Sequence, residues 1–204
     1  MSTPPVRHTD KKREAILQAA IAEFCRGGYD STSMDKIAAS AEVSKRTVYN
    51  HFPGKEALFE AILHELWERV VTAANVSYQP AADMTAQLTL FLQRKMALLC
   101  DQSFIDLARV AVAATIHTPD RARDMVERIG QNEMSIVAWI RAAQADGRLR
   151  ADEDAVWMGE LLVGMMKALA FWPQVAMGQA VLDAPSQSAL IDSVVKLFIA
   201  RYQR

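Results

Sequence analysis

The chain of 204 residues has only two cysteines, eight glycines, seven prolines and a net charge of −1. Cys25 and Cys100 lie far apart, in no CxxC or other metal spacing, so the sequence predicts free thiols in a reducing compartment rather than a disulfide framework. The four histidines, His8, His51, His64 and His117, show no metal-ligand spacing. No GxSxG is present. Gly54-Lys55 fails as a phosphate loop, because Tyr49 stands where its first glycine would be and Glu56 follows the lysine. The pattern therefore predicts neither an enzyme nor a cofactor. The N-terminal run MSTPPVRHTDKKRE lacks the apolar core of a signal peptide. The most apolar stretch, Ala155–Trp172, carries Glu160 and Lys167 near its middle, which reads as a buried helix and not a membrane span. The expected location is the cytoplasm.

Hydrophobic residues make up 51% of the chain and charged residues 23%, enough for a sizeable core. The near-zero net charge hides an uneven spread. Residues 1–55 hold nine Lys/Arg against six Asp/Glu, or +3; the rest holds 14 against 18, or −4, and the two sum to −1. Helical periodicity dominates throughout, with no convincing alternating strand. The pattern predicts an all-α fold of about nine helices. An N-terminal three-helix domain occupies residues 1–55, a fourth helix over 55–75 connects, and a larger helical domain fills 76–204. Segment Val76–Asp83, with Pro80, reads as the connection between domains. Five helices follow, at about Met84–Cys100, Phe104–Ile116, Asp120–Ala145, Asp152–Met177 and Pro185–Tyr202.

Residues 33–52, SMDKIAASAEVSKRTVYNHF, carry the functional signal. Two short helical patterns flank the turn Glu42-Val43-Ser44, which is the helix-turn-helix plan. Ile37, Ala38, Val43 and Val48 supply the apolar lock, and small Ala38 and Ala41 permit close approach. Thr32 and Ser33 are N-cap candidates, and Asp35 three residues beyond Thr32 suits a capping box. Ser44 can cap the third helix, whose free N–H groups and dipole then suit a phosphate. On that helix Lys45 and Arg46 are cationic; Thr47, Tyr49, Asn50 and His51 add hydroxyl, aromatic, amide and imidazole groups fit for phosphates and base edges. Half-buried packing is the alternative for Tyr49 and for His51. Lys55, opening the next helix, is a further phosphate candidate.

The run from Gly28 to Leu63 resembles the DNA-binding domain of TetR-type regulators. The resemblance rests on Thr32-Ser33, Ile37-Ala38, Val43-Ser44, Thr47-Val48-Tyr49, His51-Phe52 and Lys55-Glu56-Ala57-Leu58-Phe59, without a gap. It covers about the first 70 residues; the remainder is similar only in length and helicity, with a faint likeness to AefR-like C-terminal domains. The resemblance implies that Thr47 and Tyr49 face DNA, with Ser33, Ser44, Lys45, His51 and Lys55 near phosphates or bases. It further implies a repressor that pairs through its last two long helices as a four-helix bundle. The chain departs from the pattern at Glu42, where many members carry glycine; a glutamate at positive φ is strained.

The second domain is rich in soft side chains. They include Met96, Met125, Met134, Met158, Met165 and Met166, with Phe91, Phe104, Trp139, Trp157, Phe171 and Trp172. Such residues line pockets for apolar effectors, and also plain cores. Met96, Phe104, Leu107, Arg109 and Trp139 are the candidate lining. Arg109 suits either an anionic ligand or a surface ion pair. The run AVWMGELLVGMMKALAFW and the C-terminal helix are apolar on more sides than one domain covers, which predicts a homodimer. Its expected face is Trp157, Leu161, Met165, Leu190, Val194 and Phe198. The expected partners are a double-stranded operator, an unidentified small effector and a second copy. A helical carrier of apolar molecules that never meets DNA would account for the second domain but leaves Ser44–His51 unexplained.

Overall fold

A computed structural model of the chain describes residues 8–74, 76–115, 120, 123 and 134–204. His117, Met125 and most of the expected Asp120–Ala145 helix before residue 134 lie outside the described residues, as does the side chain of Met134. Two compact units form: Met1–Leu66 with Asp106–Arg123, and Trp67–Ile105 with Asp124–Arg204.

The first unit begins with α1, His8–Gly27. Its stripe of Ile16, Leu17, Ala20, Ile21 and Phe24 is buried, as the spacing predicts. Gly28 stops it at φ 81°, in the left-handed region open to glycine, with its N–H donating 2.8 Å to the Phe24 carbonyl. Helices α2, Met34–Ser40, and α3, Lys45–His51, follow. They close over α1 through Ile37 and Val48, neither of which is exposed at all. Helix α4, Lys55–Ala74, adds Leu58, Phe59 and Ile62 to this core. Rings of Phe24, Tyr29 and Phe59 stack in tilted pairs at 5.2 and 5.3 Å between centroids. Arg13 lies 5.0 Å over the Phe52 ring and shields it.

The second unit contains α5, Met84–Leu99; α7, Met134–Ala145; α8, Ala155–Ala170; α9, Trp172–Met177; and α10, Ala184–Tyr202. Helix α6, Gln102–Thr115, starts in this unit and ends in the first. Aspartates start four of these helices, Asp101 among them, which accepts from the Phe104 N–H at 2.8 Å at the start of α6. Asp83, Asp154 and Asp183 accept from the N–H groups of Ala86, Trp157 and Ser186 at 2.8, 2.8 and 2.9 Å. Each satisfies a donor that no helical turn can reach. The Asp183 carboxyl is held below its usual range by the Ser186 hydroxyl and N–H. Helix α5 packs on α10 and α8, and α7 on α8. Met84, Leu88, Phe91, Leu92 and Met96 of α5, Met158, Leu162 and Met166 of α8, and Val194 and Phe198 of α10 are all buried.

Two sequence expectations are corrected here. The predicted helix over Asp152–Met177 is broken at Phe171, whose φ of −135° and ψ of −61° leave the helical region. The cause is Pro173, which has no N–H for the Leu169 carbonyl and seeds α9 from its first turn. The Gln174 amide donates to that Leu169 carbonyl instead, at 3.2 Å. Helix α8 is also not buried on all sides: Trp157 is 57% exposed and Leu169 56%. The 23-residue stretch Ala155–Met177 is long and apolar enough to cross a membrane by composition, yet one side of it packs within this unit.

Candidate nucleic-acid interface

Helices α2 and α3 are held by their ends. Ser33 caps α2, its hydroxyl accepting from the Lys36 N–H at 3.3 Å. Ser44 caps α3, accepting from the Thr47 N–H at 3.1 Å and bonding the Thr47 hydroxyl at 2.8 Å. Thr32 is not a cap. It is buried, and its hydroxyl donates to the Gly28 and Glu23 carbonyls at 2.8 and 3.1 Å, so the capping box with Asp35 does not form.

The turn between them is a Schellman closure. The Val43 N–H donates to the Ala38 carbonyl at 3.1 Å and the Glu42 N–H to the Ala39 carbonyl at 3.2 Å. That pairing requires a left-handed residue at position 42. Glu42 adopts φ 53°, the one positive-φ residue other than glycine among the described residues. The strain read from the sequence is therefore present, and the turn keeps its hydrogen bonds despite it.

Val48 points into the core, so the other face of α3 is outward. Lys45, Arg46 and Asn50 are exposed and Tyr49 is 43% exposed; Thr47 and His51 are half-buried. The ring of Tyr49 is thus not core packing. Lys45 reaches back across the turn, its Nζ 2.7 Å from Asp35 Oδ1 in the first turn of α2. This pairing raises the Lys45 pKa above the usual lysine value, first through the hydrogen bond and then through the charge of Asp35. Lys55 takes a structural position instead of an outward one. Its Nζ donates to the Tyr29 and Asp30 carbonyls at 2.7 and 3.1 Å and lies 4.5 Å over the Tyr29 ring centroid. It fastens the start of α4 to the loop after α1.

The residues expected to line an effector pocket are divided. Met96, Phe104 and Trp139 belong to the second unit, Leu107 and Arg109 to the first. All but Arg109 are buried. Phe104 packs on Phe171 at 6.2 Å between centroids. Trp139 donates its indole N–H to Gln87 at 3.2 Å and takes the edge of Tyr78 at 5.4 Å, so it braces the segment entering α5. Arg109 pairs with Asp106 at 3.3 Å, with 31% of its side chain exposed. Nearby, burial and the Asp106 charge raise the pKa of the Cys25 thiol. A groove of about 360 Å³ runs between α5 and α10, walled by Thr89, Gln93, Met96, Gln187, Ser188 and Asp192. Met96 is the residue it shares with the expected lining, and its rim is polar.

The expected dimer face is also divided. Trp157 and Leu161 are exposed at 57% and 39%, and Met165 and Leu190 are half-buried. Val194 and Phe198 are corrected: at 2% and 1% exposure they sit against α5 and α8 of their own chain and offer nothing to a second copy. Leu197, 60% exposed, takes the outward position on α10. With Leu190, Ser193 and Ala200 it forms a seam at spacings of three and four, matched on α8 by Trp157, Leu161, Gly164 and Ala168.

Known proteins match this architecture at both ends. The profile described as "Bacterial regulatory proteins, tetR family" fits residues 16–62, and that described as "AefR-like transcriptional repressor, C-terminal domain" fits residues 86–204. The chain belongs to the TetR family of transcriptional regulators. A crystal structure of a TetR family transcriptional regulator from Pseudomonas syringae pv. tomato is 48% identical, with a TM-score of 0.82 over 96% of this chain and 98% of that one. The HTH-type transcriptional regulator YhgD of Bacillus subtilis is 28% identical over 67% of this chain and 69% of its own length. The HTH-type transcriptional repressor KstR of Mycolicibacterium smegmatis is 25% identical over 77% and 78%.

Within this TetR-family chain, sequence reasoning missed two groups. Asp35 was read only as a capping residue, although an acidic first turn of α2 stands opposite a basic first turn of α3. Leu197 was read as part of a uniformly apolar helix; the three-four spacing of positions 190, 193, 197 and 200 was the available signal.

Proposed function

We propose that this TetR-family regulator is a cytoplasmic homodimeric repressor that holds a roughly palindromic operator and releases it when a small apolar or amphipathic molecule enters its C-terminal domain. The observation that carries the reading is the capped α3 with its outward face of Lys45, Arg46, Thr47, Tyr49 and Asn50. A helix of this kind fits the major groove, with the N-terminal N–H groups of α2 and α3 toward phosphates. Repression is supported by the C-terminal match to an AefR-like repressor domain and by the likeness to KstR. Dimerisation is supported by the seams on α8 and α10, which carry Trp157, Leu161 and Leu197 into solvent in a single chain. Their pairing with the same seams of a second copy makes a four-helix bundle and sets two α3 helices about 34 Å apart, one DNA turn. Effector sensing is supported by the buried Met84, Met96, Met158 and Met166, which repack around ligands at small cost. An effector shifts the population only as far as it prefers the released conformation over the bound one.

Fluorescence anisotropy with labelled duplex DNA from upstream of the regulator's own coding sequence tests this reading. The expected result is tight, sequence-selective binding that weakens steeply with salt. It is lost when Lys45 and Tyr49 are both replaced by alanine. Binding that ignores both sequence and that double substitution, here and in selection from random DNA, overturns the reading in favour of a carrier of apolar molecules.

A further inference from the structure

Lys45 is the first residue of α3 and Asp35 the second of α2, so their ion pair bridges the starts of the two helices that meet DNA in the reading above. It is close, at 2.7 Å, and solvated, with 60% of the Lys45 side chain and 64% of the Asp35 side chain exposed. A phosphate arriving there meets a cation already neutralised and a carboxylate of its own sign. A solvated pair is weak enough to be opened by such a competitor. In the free protein the hydrogen bond and charge of Asp35 raise the Lys45 pKa, so the paired lysine is a cation.

We propose that Asp35 is a built-in competitor of DNA phosphate for Lys45, which lowers the affinity of this regulator for duplex DNA of any sequence and leaves discrimination to the other side chains of α3. The inference rests on the DNA-binding reading. Lys45 is divided between two states: held by Asp35 in the free protein, turned to phosphate in the complex. The base-facing Thr47, Tyr49 and Asn50 take no part in the exchange. The affinity for random and for operator DNA is therefore tempered by the same factor.

The test is a double-mutant cycle of Asp35→Asn and Lys45→Ala in the full-length protein, read by anisotropy on a random-sequence labelled duplex and on the operator at low salt. Asp35→Asn is expected to tighten both complexes by about two- to five-fold, the range an exposed ion pair spans. In the Lys45→Ala background the gain falls below half of that. Asp35→Glu, which keeps the charge, binds as wild type. Thermal midpoints confirm that every variant is folded. Unchanged or weaker binding by Asp35→Asn overturns the inference, as does an equal gain in both backgrounds, which would mean that Asp35 repels DNA directly. A wild-type protein that binds no duplex at all overturns the DNA-binding reading itself, and this inference with it.

Discussion

Replacing Glu42 by glycine measures how much strain the helix-turn-helix turn stores. Glu42 sits at φ 53° because the Val43-to-Ala38 and Glu42-to-Ala39 hydrogen bonds close the end of α2 only through a left-handed residue. For a residue with a β-carbon that conformation costs roughly 1–2 kcal/mol. Glycine removes the cost but loses about 0.5–1 kcal/mol more backbone entropy on folding. The net expectation is a gain of about 0.5–1 kcal/mol, since Glu42 is exposed. For a chain of this length that is a rise of about 1–4 °C in Tm, read by calorimetry or by circular dichroism. Glu42→Ala is the control. It deletes the charge and keeps the β-carbon, so it retains the strain and gives no such rise. If Glu42→Ala stabilises as much as Glu42→Gly, the charge and not the backbone is responsible, and the reasoning is refuted. It is refuted equally if glycine brings no gain.

Further outcomes follow from the same geometry. Ser44→Ala removes the cap of α3 and is expected to cost about 1 kcal/mol of stability in urea unfolding, with weaker DNA binding because the N–H groups it organises splay. On α10, Leu197→Glu places a charge in the outward seam and is expected to yield folded monomers in analytical ultracentrifugation. Val194→Ala, three residues earlier but 2% exposed, is expected to lower stability by about 1–3 kcal/mol without dissociating the dimer. Asp101, Asp152 and Asp183 all have carboxyl pKa values below the ordinary range, Asp101 chiefly through the Ser103 hydroxyl and Asp152 down to about 2 chiefly through Arg150. Depressed values stabilise the fold above the unfolded carboxylate pKa near 4 and lose that effect as pH falls through the folded values. The urea midpoint is therefore expected to hold from pH 7 to 5 and to fall below pH 4. Arg150→Ala shrinks the loss between pH 4 and 2; an unchanged profile would remove the Arg150 pair as its source.

What could be read from the chain alone was local. Ser33 and Ser44 mark helix starts because each side-chain oxygen lies within reach of the N–H three residues on, and Ile37 and Val48 mark inner faces by spacing alone. The strain at Glu42 was legible through the resemblance, because many members of the family carry glycine at that position of the turn. Tertiary structure decided what separate helices do to each other. Asp35 and Lys45 meet across a turn, Lys55 is captured by the Tyr29 and Asp30 carbonyls, and Val194 rather than Leu197 is buried within its own chain. Periodicity states that a helix such as α10 has two apolar faces; which face its own chain covers depends on how α5 and α8 pack against it. A period is a property of one helix, and burial is a property of a pair.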